Sequence, residues 1–165
     1  QLLAAAAESG SRHAGIDARF VQADLQDTEW TGALAPYPPF DAIVFLAVLH
    51  HIPGTAQRSL LMSQIAELLA PHGRLVTSVW QFMNSMRMRS RLLPWELVGL
   101  RETDVDPGDH LVAWGQGNKG QRYCAMIAQT ELERLASVVQ LGEIEVFFAD
   151  GETDDMNLYG VFERP

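Results

Sequence analysis

Residues 40–80 constrain the fold more than any other stretch. FDAIVFLAV is a continuous apolar run of strand length. The Pro-rich APYPPF keeps the preceding backbone extended and delivers it into that run, which has the composition of a strand covered on both faces. From Thr55 the period changes: Leu60, Leu61, Ile65, Leu68 and Leu69 recur at helical spacing, and Pro71, His72 and Gly73 stop the helix. RLVTSVW then reads as a second strand. A strand, a helix and a strand joined this closely form a right-handed parallel unit. The expected fold is therefore α/β, a doubly wound and mostly parallel sheet in which residues 41–48 form a central strand.

The flanks fit that plan. AGIDARFVQADL builds toward a short strand at about Arg19 to Ala23 that ends at Asp24. LLAAAAES has the composition of a helix interior with no N-cap before it, so the chain is expected to begin inside an element. AQTELERLASVVQL predicts an amphipathic helix capped by Thr130, with Glu133 completing a capping box. EIEVFFA and NLYGVFER, separated by the acidic DGETDD, predict an antiparallel hairpin at the end of the sheet. Residues from about 81 to 121 interrupt the alternation and are expected to form a lid-like insertion with little secondary structure of its own, inside a single domain spanning residues 1–165.

Composition excludes several classes. The chain of 165 residues is 47% apolar and 20% charged, as in soluble globular domains, and its apolar runs are too short to span a bilayer. Without a secretory signal pattern, the expected location is cytoplasmic, with no membrane association. The single Cys124 has no partner for an internal disulfide, and no set of ligands at zinc spacing occurs. A formal net charge of -9 argues against non-specific binding to nucleic acid. Any contact with RNA would be local, through Arg87, Arg89 and Arg91 or through Lys119 and Arg122, unless these are simply solvated surface.

In an open α/β sheet, ligands bind beyond the carboxyl ends of the strands. Asp24 and the pair His50 and His51 are expected at two such ends. Adjacent histidines on an extended chain point to opposite faces and cannot readily share an ion, so no metal site is expected. One imidazole would face a ligand while the other packs beneath the sheet, or both would be structural. Asp24 is either a ligand contact or a turn cap.

ADLQD, FDAIVFLAVLHHI, LLAPHGRLVTSVW and the final helix with its hairpin together resemble the class I S-adenosylmethionine-dependent methyltransferases of type 11/12-like sequence. The resemblance spans essentially the whole chain and implies a Rossmann-like fold with S-adenosylmethionine as cofactor. It implies that Asp24 accepts from the adenine amine while the Leu25 backbone meets the ring. Leu46 and Ala47 would lie along the methionine portion, with His51 walling the pocket. His50 and His51 become candidate catalytic bases, since imidazole titrates near neutrality. The family's glycine-rich loop and the acid after its second strand are missing, and Gly115 and Gly117 do not replace them. The resemblance thus implies an N-terminally incomplete domain, inactive alone, that lacks its first strands.

GDHLVAWGQGNKGQRYCAMIAQTELERL is similar to a segment of the wobble-uridine carboxymethyl tRNA methyltransferases, apart from Cys124 and Ala125, where an aromatic residue and a histidine are expected. That likeness makes Trp114, Arg122 and Tyr123 candidate substrate contacts and implies methyl transfer to a modified tRNA uridine or to a small carboxylate-bearing acceptor. The alternatives are a catalytically silent methyltransferase-like module that binds a protein partner or forms a homodimer, and a nicotinamide-dependent oxidoreductase of similar architecture.

Overall fold

A computed structural model describes residues 18–115, 117 and 120–165. The sequence expected to form the first helix, LLAAAAES, lies outside them. The chain divides into two compact units, Gln1–Pro38 and Pro39–Pro165.

In the first unit residues 18–24 form no strand, contrary to expectation. A strand needs a ladder partner, and the chain is held by turns instead: the Asp27 N–H donates to the Asp24 carbonyl at 3.0 Å, and a 3-10 helix follows at Trp30–Leu34. The Arg19 guanidinium lies 5.7 Å from the centre of the Tyr37 ring.

The second unit begins with the expected strand, helix and strand: β1 at Phe40–Leu46, α1 at Thr55–Leu68 and β2 at Leu69–Trp80. β1 and β2 pair in parallel. The helix stops at Leu68, earlier than the Pro71–Gly73 stop signal, and those residues instead form an irregularity where β2 joins β1. Gly73 is required there, because a Cβ would come within 2.7 Å of the Phe40 carbonyl oxygen.

The insertion has more structure than its composition suggests. A helical turn, α2 at Met86–Arg89, leads into β3 at Leu92–Leu93, β4 at Asp109–Trp114 and β5 at Gly120–Ala125, which make a three-stranded antiparallel sheet. Its strands, LL, DHLVAW and GQRYCA, are short and lack the apolar-polar alternation that would mark them as strands one at a time. Gly115 and Gly117 lie in the turn from β4 into β5 with φ of 83° and 67°.

The C-terminal helix, α3 at Gln129–Val138, is present, but Ala128 is its N-cap and Thr130 lies within the first turn. The side-chain bond runs from Gln129 to Glu133 at 2.7 Å. The hairpin forms as expected from β6 at Gly142–Ala149 and β7 at Asn157–Glu163. β7 also pairs antiparallel with β2, giving the order β1-β2-β7-β6, a mixed sheet.

α1 and α3 pack on one another and on the sheet, burying Leu75, Val79, Leu158 and Phe162 against Leu61, Ile65, Leu132 and Leu135. β1 is not covered on both faces: among the described residues it is the edge of this sheet, and Val44 and Leu46 remain 66% and 44% exposed. Among the described residues no helix is long and apolar enough to cross a membrane.

Gly160 sits where α3 presses on β7. A Cβ there would meet the Phe162 ring at 2.5 Å and Leu132 Cδ2 at 3.2 Å. Gly160→Val is therefore expected to destabilise the chain by about 2 kcal/mol through overpacking, read as a lower midpoint in urea unfolding. An unchanged midpoint would mean that α3 can move off the sheet at no cost.

Candidate functional site

The carboxyl ends of β1 and β2 lie side by side because the two strands pair in parallel. At the end of β1, Ala47 adopts a left-handed backbone with φ 56°, unusual for a residue with a side chain. Ser78 holds it there, since the Ala47 N–H reaches both the Ser78 carbonyl and its Oγ at 3.1 Å. The chain then turns into a single 3-10 turn, Leu49–His51.

That turn changes the expected arrangement of the histidines. They are not on an extended strand pointing to opposite faces; the ring centres are 4.2 Å apart. Their environments differ. His50 is 2% exposed, and its Nδ1 accepts the Trp80 N–H at 3.2 Å, which leaves its proton on Nε2. Burial, reinforced by the charges of His51 and Arg122, lowers its pKa to about 3. His51 is half-buried, with Nδ1 3.1 Å from the Tyr123 carbonyl oxygen. A carbonyl only accepts, so this contact puts the proton on Nδ1 and leaves Nε2 with a lone pair. Cys124 Sγ lies 3.6 Å from the same Nδ1. Burial raises the Cys124 pKa to about 11, so it remains a thiol.

The insertion sheet presents one face to this corner. Val112 and Cys124 on that face pack with Phe82 and Met88, and the half-buried Trp80, Leu92 and Trp114 lie against them. Trp80 is the hub: its ring lies 6.3 Å from His50 and 6.1 Å, edge-on, from Trp114. The Arg122 guanidinium stacks on Trp114, 3.9 Å from the ring centre, and makes no ion pair among the described residues. Stacking holds the planar fork while leaving its edge donors available to an anion.

Tyr123, the next residue on β5, points to the opposite face. Its hydroxyl donates to Asp109 Oδ1 at 2.6 Å and accepts from Arg58 at 2.8 Å, and its ring lies 6.4 Å from Trp95. Burial and the Asp109 bond raise its pKa. The structure thus brings His50, His51, Trp114 and Arg122 together and engages the Tyr123 side chain in a buried network.

Arg58 and Asp109, the centre of that network, were not anticipated from the sequence. Both are buried, and they pair at 3.3 Å. A signal for Arg58 does exist: Leu61, Met62 and Ile65 follow it at three, four and seven residues, so the arginine lies on the buried stripe of α1.

In the first unit, Asp24 is exposed and its Oδ1 accepts the Gln26 N–H at 3.0 Å, the geometry of a turn cap. It also lines a surface hollow of about 580 Å³ with Gln22, Asp27, Glu29 and Trp30, while Leu25 is half-buried. Leu46 and Ala47 are exposed at the carboxyl end of β1 in the second unit. Lys119 lies outside the described residues, and Arg87 and Arg89 are exposed on α2. No cluster of three or more metal-binding side chains occurs among the described residues.

No protein-family model and no curated protein sequence matches the chain. Solved structures do. A S-adenosylmethionine-dependent methyltransferase from Methanosarcina mazei superposes with a TM-score of 0.64 at 15% identity, covering 96% of this chain and 75% of its own. One from Clostridium acetobutylicum gives 0.66 at 12% identity over 99% of this chain and 71% of its own. The CcbJ methyltransferase of Streptomyces caelestis gives 0.59 at 18% identity over 99% and 70%. The chain has a Rossmann-like methyltransferase fold.

In this fold the burial of His50 has a thermodynamic consequence. The folded chain resists protonating His50 until about pH 3, whereas an unfolded imidazole titrates near 6.5. Between those values the unfolded state binds the extra proton, so stability falls as pH drops through the window. The expected loss from this group is about 2 kcal/mol between neutrality and pH 5. Urea unfolding at several pH values should show a shallower pH slope in His50→Asn; equal slopes would mean that His50 titrates freely in the folded chain.

Proposed function

We propose that this chain takes part in methyl transfer from S-adenosylmethionine to an acceptor that carries a carboxylate or phosphate, either a small metabolite or a modified tRNA uridine. The supporting observation is the corner at the carboxyl ends of β1 and β2. There an imidazole whose Nε2 keeps its lone pair lies against Tyr123 of β5, and the preceding residue of β5, an arginine without an ion pair among the described residues, stacks on tryptophan.

The residues suit the cofactor chemically. Asp24 offers a carboxylate on an exposed hollow, and carboxylates only accept, as the exocyclic amine of adenine only donates. Leu25, in the same unit, would meet the adenine ring. Bound S-adenosylmethionine would supply an electrophilic methyl group for in-line displacement by the acceptor. The residues of the chain hold the acceptor in line and manage its proton. Arg122 takes the anionic group of the acceptor, with Trp114 holding the guanidinium in place. His51 is the base, taking a proton at Nε2 from a nitrogen or oxygen nucleophile; an acceptor already ionised as a carboxylate needs none. His50 is unsuited to that role because it stays neutral and its Nδ1 is engaged. It serves as the wall that aligns His51.

Local charge favours the small anionic acceptor. Four arginines of the insertion, Arg87, Arg89, Arg91 and Arg122, have no ion pair among the described residues, yet only Arg122 is stacked beside the histidines.

Calorimetric titration of S-adenosylhomocysteine into this chain, and into any longer natural form that contains it, tests the reading first. Where binding is found, Asp24→Ala is expected to weaken it by about 1 kcal/mol, the scale of one hydrogen bond. Unchanged affinity would make Asp24 a turn cap alone. Arg122→Ala is expected to reduce acceptor use while leaving S-adenosylhomocysteine affinity unchanged. Equal loss of both would assign Arg122 to the fold. Absence of binding in every form would favour the silent module instead.

A further inference from the structure

We infer that Arg58 is a positioning residue that selects the tautomer of His51. The inference deepens the reading of His51 as a base and rests on that reading for its catalytic meaning.

The His51 tautomer depends on one contact, Nδ1 to the Tyr123 carbonyl oxygen at 3.1 Å, made between two separate pieces of backbone. One is the 3-10 turn at the end of β1. The other is β5. Arg58 grips both. Its Nη1 donates to the Ile52 carbonyl at 3.1 Å, one residue beyond His51, and to the Tyr123 hydroxyl at 2.8 Å, on the residue whose carbonyl receives the His51 proton. The same nitrogen lies 3.3 Å from Asp109 Oδ1, which also accepts from the Tyr123 hydroxyl at 2.6 Å. Nη2 donates to Thr55 Oγ1 at 3.0 Å and fixes the guanidinium to the start of α1.

This cation is costly to place. Arg58 is 2% exposed, and its Nε is the one buried side-chain nitrogen or oxygen without a partner among the described residues. A buried arginine on the apolar stripe of α1 is not needed to hold a helix on a sheet, since an aliphatic side chain would do so without burying a charge. What an aliphatic side chain cannot do is bind the Ile52 carbonyl and the Tyr123 hydroxyl together. With that clamp closed, the distance from His51 to the Tyr123 carbonyl is fixed, the proton stays on Nδ1, and the Nε2 lone pair is kept as acceptor. With it open, the turn and β5 can separate, and the imidazole is free to move its proton to Nε2, which removes the base.

The test is nitrogen NMR of the 15N-labelled chain at mildly alkaline pH, where imidazole is neutral. His51 is assigned by its loss in His51→Gln. In the native protein the Nδ1–H form should dominate. In Tyr123→Phe, which deletes only the hydroxyl of the clamp, the ratio of Nδ1–H to Nε2–H should fall by about fivefold, the scale of one hydrogen bond. Arg58→Met should lower it at least as far. Gly160→Ala, destabilising elsewhere, should leave the ratio unchanged. An unaltered ratio in Tyr123→Phe would overturn the inference, and so would a fall in Gly160→Ala equal to that in Tyr123→Phe. If Arg58→Met does not fold, Tyr123→Phe decides alone. The ratio is read without cofactor or acceptor. It can therefore fail while methyl transfer is intact, and can hold if the chain transfers no methyl group.

Discussion

The Trp80 N–H, donated to His50 Nδ1, is the interaction on which the site depends. It lies where β2 ends, and an imidazole from the turn after β1 accepts its hydrogen. That single bond has several consequences. It closes the strand end, assigns the His50 proton to Nε2, and draws the 3-10 turn across the mouth of the parallel pair. Because the turn is drawn inward, His51 lies next to β5 and finds the Tyr123 carbonyl. Because His50 is then buried, its charge is suppressed. The Trp80 N–H and the Tyr123 carbonyl thereby give two adjacent histidines opposite tautomers.

The insertion is the second half of the same construction. Its antiparallel sheet has one face toward the histidine corner and the other toward Arg58 of α1, and adjacent residues of β5 serve different faces. Arg122 faces Trp114 and the histidines; Tyr123 faces Arg58 and Asp109. Alternation along a strand separates a group available to a ligand from a group used to anchor the strand. The anchor is a buried ion pair, and such pairs are weak sources of net stability, although removing one partner is costly because the other charge is left uncompensated. Its value here lies in geometry: it fixes where β5 stands relative to the turn.

The elements β1, α1, β2, α3 and the closing hairpin of β6 and β7 are legible because each signal is local. The apolar run of β1, the helical period of α1 and the acidic turn of the hairpin each act within a few residues. The errors arose where tertiary partners decide. Residues 19–23 have the composition of a strand, but a strand exists only with a ladder beside it. β4 and β5 were missed because their strength comes from packing on Phe82 and Met88, distant in sequence. Two histidines directly after an apolar run belong, by sequence alone, on an extended chain; a left-handed Ala47, invisible in the sequence because alanine seldom adopts it, turns them into a helical corner.

Ala47 also bears on why the corner is rigid. A left-handed alanine costs about 1 kcal/mol or more, and it persists only where its surroundings determine it. Here the determining group is Ser78, one strand over, whose carbonyl and hydroxyl both accept from the Ala47 N–H. Ser78 and Trp80 lie two residues apart on β2 and bind the two ends of the same turn, Ala47 through backbone and His50 through its ring. Straightening Ala47 would require giving up both bonds together. The strained residue is therefore held from one rigid strand, and the histidines inherit their placement from the sheet itself. A turn built in this way is set when β1 and β2 pair, before any ligand arrives.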